Sequence, residues 1–438
     1  MELIVCFVLF LAAMLTCLIL GYSLSWALLS ALIVFFLLGL KRGYSAKALF
    51  AMAWSKIPKT MIVLRVLFFV GILTGLWRSS GTISFFIYYG IRSITPQYFV
   101  LVAFLLSSLL SFSLGTSFGV ASTVGVVLMA LARSGGVNPV ITAGAVMSGI
   151  YFGDRGAPTS SCASLVAALT ETDLYHNIKL MLKSAALPFA LSLTLYVLLS
   201  FRNPITRVDD TLLVALSEHS VIDFYVAIPA VLMLVLPLFR LPIRTAMAIS
   251  AGVSFLLTVT VQNIDFFSAA KIALLGYHPL DPILGDVLSG GGLISMLTPA
   301  LMLPLASLYT GILEGIGALD QMQLALTRMT ERAGRLPTMN LLSILSAMLL
   351  CNQTIVIMIS HQLIGSVYAR SNAEHEELAM DIANSAVTIS GLVPWCIACA
   401  VPLSMLGVGI EALPYAFYLY LIPICYLFTK KFFFPRVK

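Results

Sequence analysis

The feature that most constrains this chain is a succession of long apolar runs that contain almost no charge. Hydrophobic residues make up 60% of the 438 residues and charged residues only 10%, whereas a soluble domain carries about 25% charged residues. A water-soluble globule is excluded, because too few charged side chains remain to cover its surface. An outer-membrane β-barrel is disfavoured, since the apolar residues run continuously instead of alternating. The sequence therefore predicts an all-α polytopic membrane protein.

A helix that crosses a membrane needs about 20 apolar residues in succession. Candidate full spans lie at 2–20, 24–40, 60–77, 97–113, 184–201, 222–238, 245–261, 292–310, 337–351, 392–408 and 412–429. Shorter pieces interrupted by Gly and Ser lie at 116–133, 140–152, 162–170, 354–368 and 382–391. We interpret the shorter pieces as broken or re-entrant helices, because irregular backbone at membrane depth is tolerated only inside protein or along a cavity. Together they predict about 10–12 transmembrane segments.

The charged loops predict the orientation, because Lys and Arg are enriched in short cytoplasmic loops. The loops 41–59 and 328–335 and the tail 430–438 are basic, so we expect them, and both termini, in the cytoplasm. The segments 202–223 and 371–382 are acidic and are expected outside. The chain is therefore expected to be a multi-pass protein of the cell membrane.

This arrangement suits two membrane repeats of opposite orientation, 1–201 and 222–438, joined by the loop 202–221. The motif Gly-Ile-Leu-Thr-Gly at 71–75 recurs as Gly-Ile-Leu-Glu-Gly at 311–315, and broken segments follow it in both halves. Paired broken helices in corresponding halves indicate the binding site of a transporter. The same Gly-x-x-x-Gly spacing also serves plain helix packing.

Asp154 is the leading candidate for chemistry, because an ionisable group inside a membrane is costly and usually functional. It follows an apolar run and is expected to lie in a helix break made by Gly153, Gly156 and Pro158. A carboxylate beside freed carbonyls and hydroxyls suits a small hard cation such as sodium, and the same carboxylate can carry a proton. The alternative is that Asp154 and Arg155 form an interfacial cap at the end of a loop.

The other candidate binding residues are hydroxyl and amide side chains in or beside the broken segments. They are Thr116, Ser117, Thr159, Ser160, Ser161, Asn352, Gln353, Thr354, Asn384, Ser385, Thr388 and Ser390. Glu314 and Arg155 are secondary candidates. Cys396-x-x-Cys399 has the spacing of a redox motif, but its apolar flanks favour a structural role.

No nucleotide-binding, zinc-protease or nucleophile motif occurs in the sequence, and no basic block suits nucleic acid. We therefore expect no enzymatic activity and no cofactor beyond a bound sodium ion. The expected partners are a small ion or small organic solute, the lipid bilayer and a second copy of the chain in a homodimer.

Four motifs, in order along about residues 60–425, resemble those of the NhaC-type sodium/proton antiporter family. They are Leu114-Gly115-Thr116-Ser117-Phe118-Gly119, Gly153-Asp154-Arg155 through Pro158 and Ser160, Asn352-Gln353, and Asn384-Ser385 through Ser390, Leu392, Pro394 and Trp395. The family patterns are G-T-S-x-G, G-D-K-x-S-P-x-S-D, D-Q and E-D-S-G-T…S-P-L-I-P-W. The resemblance implies a divergent secondary transporter built from inverted repeats, whose broken helices cross near the membrane midplane.

The chain departs from this family where acids are expected. Asp154 is kept, but Ser161, Asn352 and the pair Ala383-Asn384 stand where the family has carboxylates. The resemblance implies sodium/proton antiport by alternating access. The neutral lining favours an alternative, a sodium- or proton-coupled transporter of an organic anion or amino acid, and predicts weak sodium/proton exchange. A membrane protein that transports nothing is disfavoured, because a sealed bundle needs no paired helix breaks.

Overall fold

The computed structural model describes residues 2–55, 57–93, 96–204, 210–239, 241–317, 330, 332–368 and 372–434. Within these ranges the chain is helical, and the only β-type contact is an isolated bridge between Tyr277 and Gly290. Arg328 and Glu331 of the predicted basic loop, and the last residues of the basic tail, lie outside the described residues. The prediction of an all-α polytopic membrane protein is confirmed.

The described residues of the first half form eleven α-helices. They are α1 (Glu2–Leu20), α2 (Leu24–Lys41), α3 (Ala46–Trp54), α4 (Ile57–Ser79), α5 (Thr82–Ser93), α6 (Phe99–Leu114), α7 (Ser117–Val120), α8 (Val126–Ser134), α9 (Pro139–Gly156), α10 (Ser161–Thr170) and α11 (Leu174–Arg202). A π-helical turn, Ala121–Gly125, joins α7 to α8. Polar caps fix several helix starts: the Asp173 side chain, for example, accepts the backbone N–H of His176 at the start of α11.

The second half follows with a similar order of long and short helices. They are α12 (Asp210–His219), α13 (Ile228–Leu238), α14 (Ile243–Thr260), α15 (Phe266–Leu275), α16 (Pro282–Leu288), α17 (Leu297–Gly315), α18 (Arg335–Leu350), α19 (Gln353–Ile364), α20 (Asn372–Asn384), α21 (Ala386–Ile389), α22 (Ile397–Leu406) and α23 (Phe417–Phe433). Short 3₁₀ stretches link several of them, including Ser390–Leu392 between α21 and α22.

The described helices include four that are long and apolar enough to cross a membrane, or six if each of two bent pairs forms one span. The bent pairs are Leu64–Ser79 with Thr82–Gly90, at 64°, and Glu374–Leu392 with Ile397–Leu406, at 52°. Shorter apolar helices occupy most of the other predicted spans. The total of about 10–12 spans therefore stays a prediction.

Two of the predicted broken pieces are more regular than expected. The piece 116–133 forms one helical run, Ser117–Ser134, with only the π-turn inside it. The piece 140–152 belongs to α9, which continues without interruption to Gly156. The prediction that Gly153 and Gly156 break the helix is wrong, because the break begins only at Ala157, whose backbone is extended.

The glycines of α9 instead allow α9 to pack closely on α6. A Cβ atom on Gly149 would lie 2.5 Å from the Cβ of Ser107, and one on Gly153 would lie 2.0 Å from the carbonyl carbon of Ser111. Only glycine permits this backbone approach at either position. The contact holds the last turn of α9 beside the end of α6.

The same backbone turn interrupts both halves of the chain. α6 ends in a left-handed residue, Gly115 (φ 66°, ψ 27°), and α18 ends in Cys351 (φ 53°, ψ 14°). Each is followed by an extended N-cap, Thr116 (φ −144°, ψ 122°) and Asn352 (φ −141°, ψ 116°). The corresponding positions are 236 residues apart in the sequence.

The same separation of 236 residues holds at the next helix break of each half. Matching conformations occur at Ala157 and Val393, at Ser160 and Cys396, and at the left-handed helix ends Glu171 and Gly407. The offset of 240 that the repeated glycine motif gives is therefore wrong by four residues, and Gly75 rather than Gly71 corresponds to Gly311.

A network of buried and half-buried charges ties α18, α20 and α23 together. Lys430 pairs with Asp381, and with Glu377 at 2.6 Å, while Arg335 pairs with Glu377 and Glu374, both at 2.8 Å. The acidic segment 371–382 thus lies at the same end of the bundle as Arg335 of the basic loop 328–335 and Lys430 of the basic tail. The prediction that 371–382 lies on the opposite side of the membrane from them is wrong.

Candidate functional site

Asp154 lies in the last turn of α9, at the point where broken helices of both halves meet. Its side chain is only 4% exposed. Three neutral groups contact the carboxylate: Gln353 Nε2 at 3.2 Å, Cys162 Sγ at 3.6 Å and the backbone N–H of Ser117. Among the residues that the structure describes, no Lys, Arg or His lies within 4 Å of it.

Gln353 connects this carboxylate to the second half of the molecule. Its Nε2 also donates to the carbonyl oxygen of Val387 in α21, at 2.9 Å. Asp154 is therefore linked to α7, α10, α19 and, through Gln353, α21. The structure thus brings together the segments around 116, 154, 353 and 388, which hold many of the candidate residues.

The carboxylate contacts the first residue of each of two helices, the backbone N–H of Ser117 and the side chain of Gln353. Ser117 is the first residue of the helical run that leads from α7 into α8, and Gln353 is the first residue of α19. Unpaired N–H groups give a helix N-terminus a partial positive charge, which favours a nearby anion. The N-terminus at Ser117 thus brings only a partial charge to the carboxylate, and the described residues place no cationic side chain beside it.

Arg155 points into a separate pocket of polar groups. It is 1% exposed, and it donates to the Asn384 side-chain oxygen, to the Met181 carbonyl oxygen and, at 3.4 Å, to Ser184 Oγ. Its Nε has no hydrogen-bond partner. No described carboxylate lies within 4 Å of it, so the alternative of an interfacial Asp154–Arg155 cap is ruled out.

Several predicted ligands cap helices instead of facing an open site. Thr116 Oγ1 accepts from the N–H of Gly119, and Asn352 Oδ1 accepts from the N–H groups of Thr354 and Ile355. Ser160 accepts from the N–H groups of Cys162 and Ala163, and its hydroxyl donates to the Asp154 carbonyl oxygen. These side chains hold the broken helices in place around Asp154.

The hydroxyls of the second-half break bond to their own helix. Ser385 donates to the carbonyl of Asp381, Thr388 to that of Asn384 and Ser390 to that of Ala386. The remaining hydroxyl candidates, Thr159, Ser161 and Thr354, are exposed. None of these six donates to the Asp154 carboxylate in the described contacts.

Glu314 lies apart from this centre. It is on α17, whose Gly311 and Gly315 pack against Met52 and Ala53 of α3. Cys396 and Cys399, where a redox role was an alternative, are both free and buried at the start of α22. Their burial favours the structural role.

Sequence reasoning missed Cys162 as a contact of Asp154 and missed the buried charge of Asp381. Cys162 lies in the first turn of α10, and nothing in its apolar surroundings signals contact with a carboxylate. For Asp381, the basic residues near the end of the last span were a usable signal, since a buried acid needs such a partner. No group of three His, Cys, Asp or Glu side chains within the described ranges could hold a metal ion.

The sequence of this chain is similar to those of several known proteins. Residues 149–430 match the profile of the Na⁺/H⁺ antiporter family. An uncharacterised Na⁺/H⁺ antiporter of Haemophilus influenzae is 30% identical over 375 residues, which cover 82% of this chain and 80% of that protein.

Two further relatives are each 26% identical. The Na⁺/H⁺ antiporter NhaC of Alkalihalophilus pseudofirmus aligns over 82% of this chain and 79% of its own length. The malate-2H⁺/Na⁺-lactate antiporter of Bacillus subtilis aligns over 82% of this chain and 78% of its own length. Their names describe exchange of ions, with or without an organic acid.

Proposed function

The chain belongs to the Na⁺/H⁺ antiporter family and is a secondary transporter of the antiporter type, and we propose that Asp154 is the group at which its ions exchange. The observation that supports this is a buried carboxylate held between two broken helices by neutral donors alone. A buried charge kept for structure normally has a paired partner. The missing partner is the transported cation.

A single carboxylate binds a proton or a sodium ion, and one excludes the other. Binding of sodium from one side therefore releases a proton, and the reverse step on the other side completes the exchange. Helices that break near the midplane allow each half to present the same site to either side in turn. Sodium is here the cargo, with Asp154 as one of its oxygen ligands.

Arg155 adds a fixed positive charge next to this centre. Its neighbours Asn384, Ser184 and the Met181 carbonyl are neutral. A second cation would meet repulsion from it as well as from the first ion. We infer that Arg155 limits the centre to one cation at a time.

Exchange of an organic anion at this centre is less well supported. Exchange of an organic anion would use the neutral residues Asn352 and Asn384 as ligands of the substrate. The oxygen of Asn352 caps α19 and that of Asn384 accepts from Arg155. Both oxygens are therefore engaged as acceptors, and the buried donor that the pair leaves for an anion is the Asn384 amide nitrogen, which has no partner among the described residues.

For the topology, we propose that the end of the bundle that carries Arg335 and Lys430 faces the cytoplasm, as the positive-inside rule favours. The halves 1–201 and 222–438 are then inverted repeats, and the common separation of 236 residues supports this. Cysteines placed at Lys47 and Asp210 should react with an impermeant thiol reagent from opposite sides. Labelling of both from the same side would contradict the proposal.

The ion-exchange proposal is tested in proteoliposomes that report internal pH. An imposed sodium gradient should drive proton movement by the wild-type protein, and Asp154→Asn should abolish it because an amide neither binds a proton nor offers a full charge. Asp265→Asn is the control, since Asp265 is an acid that caps α15 at the surface, 2.8 Å from the N–H of Ser268. Proton movement at the wild-type rate in Asp154→Asn would overturn the proposal.

A further inference from the structure

We propose that a cavity between the C-terminal ends of α4, α8 and α22 binds a small oxyanion, that is, a carboxylate or phosphate group. The cavity has a volume of about 230 Å³. It is lined by Arg78 of α4, Arg133 of α8, the loop 289–296 and residues 404–407 at the end of α22. It shares none of its lining with the residues that contact Asp154.

The charge of this cavity is positive and not neutralised. Arg78 and Arg133 both line it, and no lining residue is an acid. Within the described part of the chain, no carboxylate lies within 4 Å of either guanidinium. Two arginines without counter-ions repel one another, and an anion between them removes that repulsion.

The two guanidinium groups keep hydrogen-bond donors for a ligand. Among the described contacts Arg78 donates through Nη1 alone, to the Thr74 carbonyl oxygen at 2.8 Å, which leaves its Nη2 for a ligand. Arg133 uses Nη2 alone, for the carbonyls of Leu406 and Gly407 at 3.2 and 3.0 Å. Each guanidinium carries five N–H donors arranged as a fork that fits carboxylate and phosphate.

A purely structural role accounts for only part of this arrangement. Arg133 satisfies the last carbonyls of α22 and is in that sense a helix cap. Capping does not explain why a second arginine, Arg78, lines the same cavity with no described carboxylate within 4 Å. An oxyanion bound between the two guanidinium groups would neutralise both charges together.

The rest of the lining is mixed polar and apolar, and the volume of the cavity limits the ligand to a small one. Ser289, Ser295 and Ser404 contribute hydroxyls, and Gly290 and Gly291 bring backbone close to the cavity. The volume lies just below the roughly 300 Å³ at which sites for drug-sized molecules begin. A carboxylate or phosphate group on a small molecule fits these limits.

The position of the cavity along the membrane normal fits two sources of an oxyanion, a lipid headgroup and a soluble anion. Ser117, which contacts Asp154, begins the helical run that carries Arg133 in its last turn. Sixteen residues of helix place the two about 24 Å apart, which exceeds the roughly 15 Å from midplane to the edge of the hydrocarbon core. The cavity therefore lies near lipid headgroups and near soluble anions alike.

The soluble source is tested with full-length protein in neutral detergent. Malonate and inorganic phosphate should raise the melting temperature in a saturable way, compared with sodium chloride at equal sodium concentration and ionic strength. Arg78→Gln should weaken this binding by about tenfold or more. Arg65→Gln is the matched control, because Arg65 is an exposed arginine of the same helix.

The lipid source is tested in nanodiscs of phosphatidylcholine with and without phosphatidylglycerol. An Arg78-dependent stabilisation by phosphatidylglycerol, with no effect of the soluble anions, would identify a lipid headgroup as the ligand. If Arg78→Gln does not fold, Arg78→Lys replaces it, since lysine keeps the charge but loses the fork. The proposal fails if neither source stabilises the wild type, or if both Arg78 variants respond as the wild type does.

Discussion

Two aspartates buried inside this bundle, Asp154 and Asp381, have opposite surroundings. Asp381 is fully buried, pairs with Lys430 and accepts a hydrogen bond from Tyr368 at 2.6 Å. Lys430 is in turn shared with Glu377. Asp154 is buried almost as deeply, yet Gln353, Cys162 and the Ser117 N–H offer it no positive charge.

The difference shows that burial alone does not identify a functional charged residue in a membrane protein. A buried carboxylate with a fixed partner is compensated permanently and therefore joins helices. A buried carboxylate with neutral donors is compensated only when a mobile cation or proton arrives. On this basis Asp381 is structural and Asp154 is functional.

The largest expected effect on stability comes from Asp381→Asn. This change leaves Lys430 with Glu377 alone and should destabilise the protein by about 3 kcal/mol, which is typical for one lost partner of a buried ion pair. Asp154→Asn should alter stability by less than about 1 kcal/mol, because the amide oxygen still accepts from Gln353. Melting curves of both variants in the same detergent measure the contrast.

Transport by the same variants should show the reverse order. Folded Asp381→Asn should retain sodium-driven proton movement, whereas Asp154→Asn should retain none. Equal losses of stability in the two variants, or loss of transport in both folded proteins, would remove the distinction between a structural and a functional aspartate.

A smaller effect on transport is expected when a substitution gives Arg155 a counter-ion. Asn384→Asp places a carboxylate where the Asn384 oxygen now accepts from Arg155. Neutralising that positive charge should lower the sodium concentration for half-maximal exchange by about fivefold, since less repulsion opposes the cation. Sodium titrations of exchange in proteoliposomes measure it. Asn384→Ser, which stays neutral, should produce no such decrease; a similar decrease in both would show that charge is not the cause.

The smallest effect is expected at Ser390, which corresponds to Asp154 at the separation of 236 residues. Its hydroxyl donates to the Ala386 carbonyl at 2.6 Å and so is engaged by its own helix. Ser390→Ala should change the exchange rate by less than about twofold, because the hydroxyl bonds to the backbone four residues earlier and is not among the described contacts of Asp154. A loss approaching that of Asp154→Asn would mean that both halves supply ligands to the ion.

Much of this architecture follows from the sequence because the membrane limits the choices. Apolar length places most helices within a few residues, and the intramembrane cost of charge singles out Asp154. The family resemblance also points to the segments around 116, 154, 353 and 388, which lie together in the structure. These inferences depend on composition and order, which a sequence displays directly.

The remaining features depend on contacts between distant parts of the chain. Whether Asn352 caps its own helix or binds a ligand depends on a backbone angle at one residue. The pairing of Asp381 with Lys430 joins positions 49 residues apart, and loop charges alone placed them on opposite sides of the membrane. A glycine such as Gly153 would ordinarily indicate a helix break. Its tight packing on α6 instead makes it part of a regular helix.

The central claim, that sodium and a proton compete for Asp154, is tested most directly by proton release on sodium binding. Purified wild-type protein in weakly buffered detergent should release protons when sodium chloride is added, and choline chloride at the same ionic strength should release none. Asp154→Asn should release none with either salt, while Asp381→Asn should behave as the wild type does. Sodium-dependent proton release from Asp154→Asn equal to that of the wild type would contradict the account.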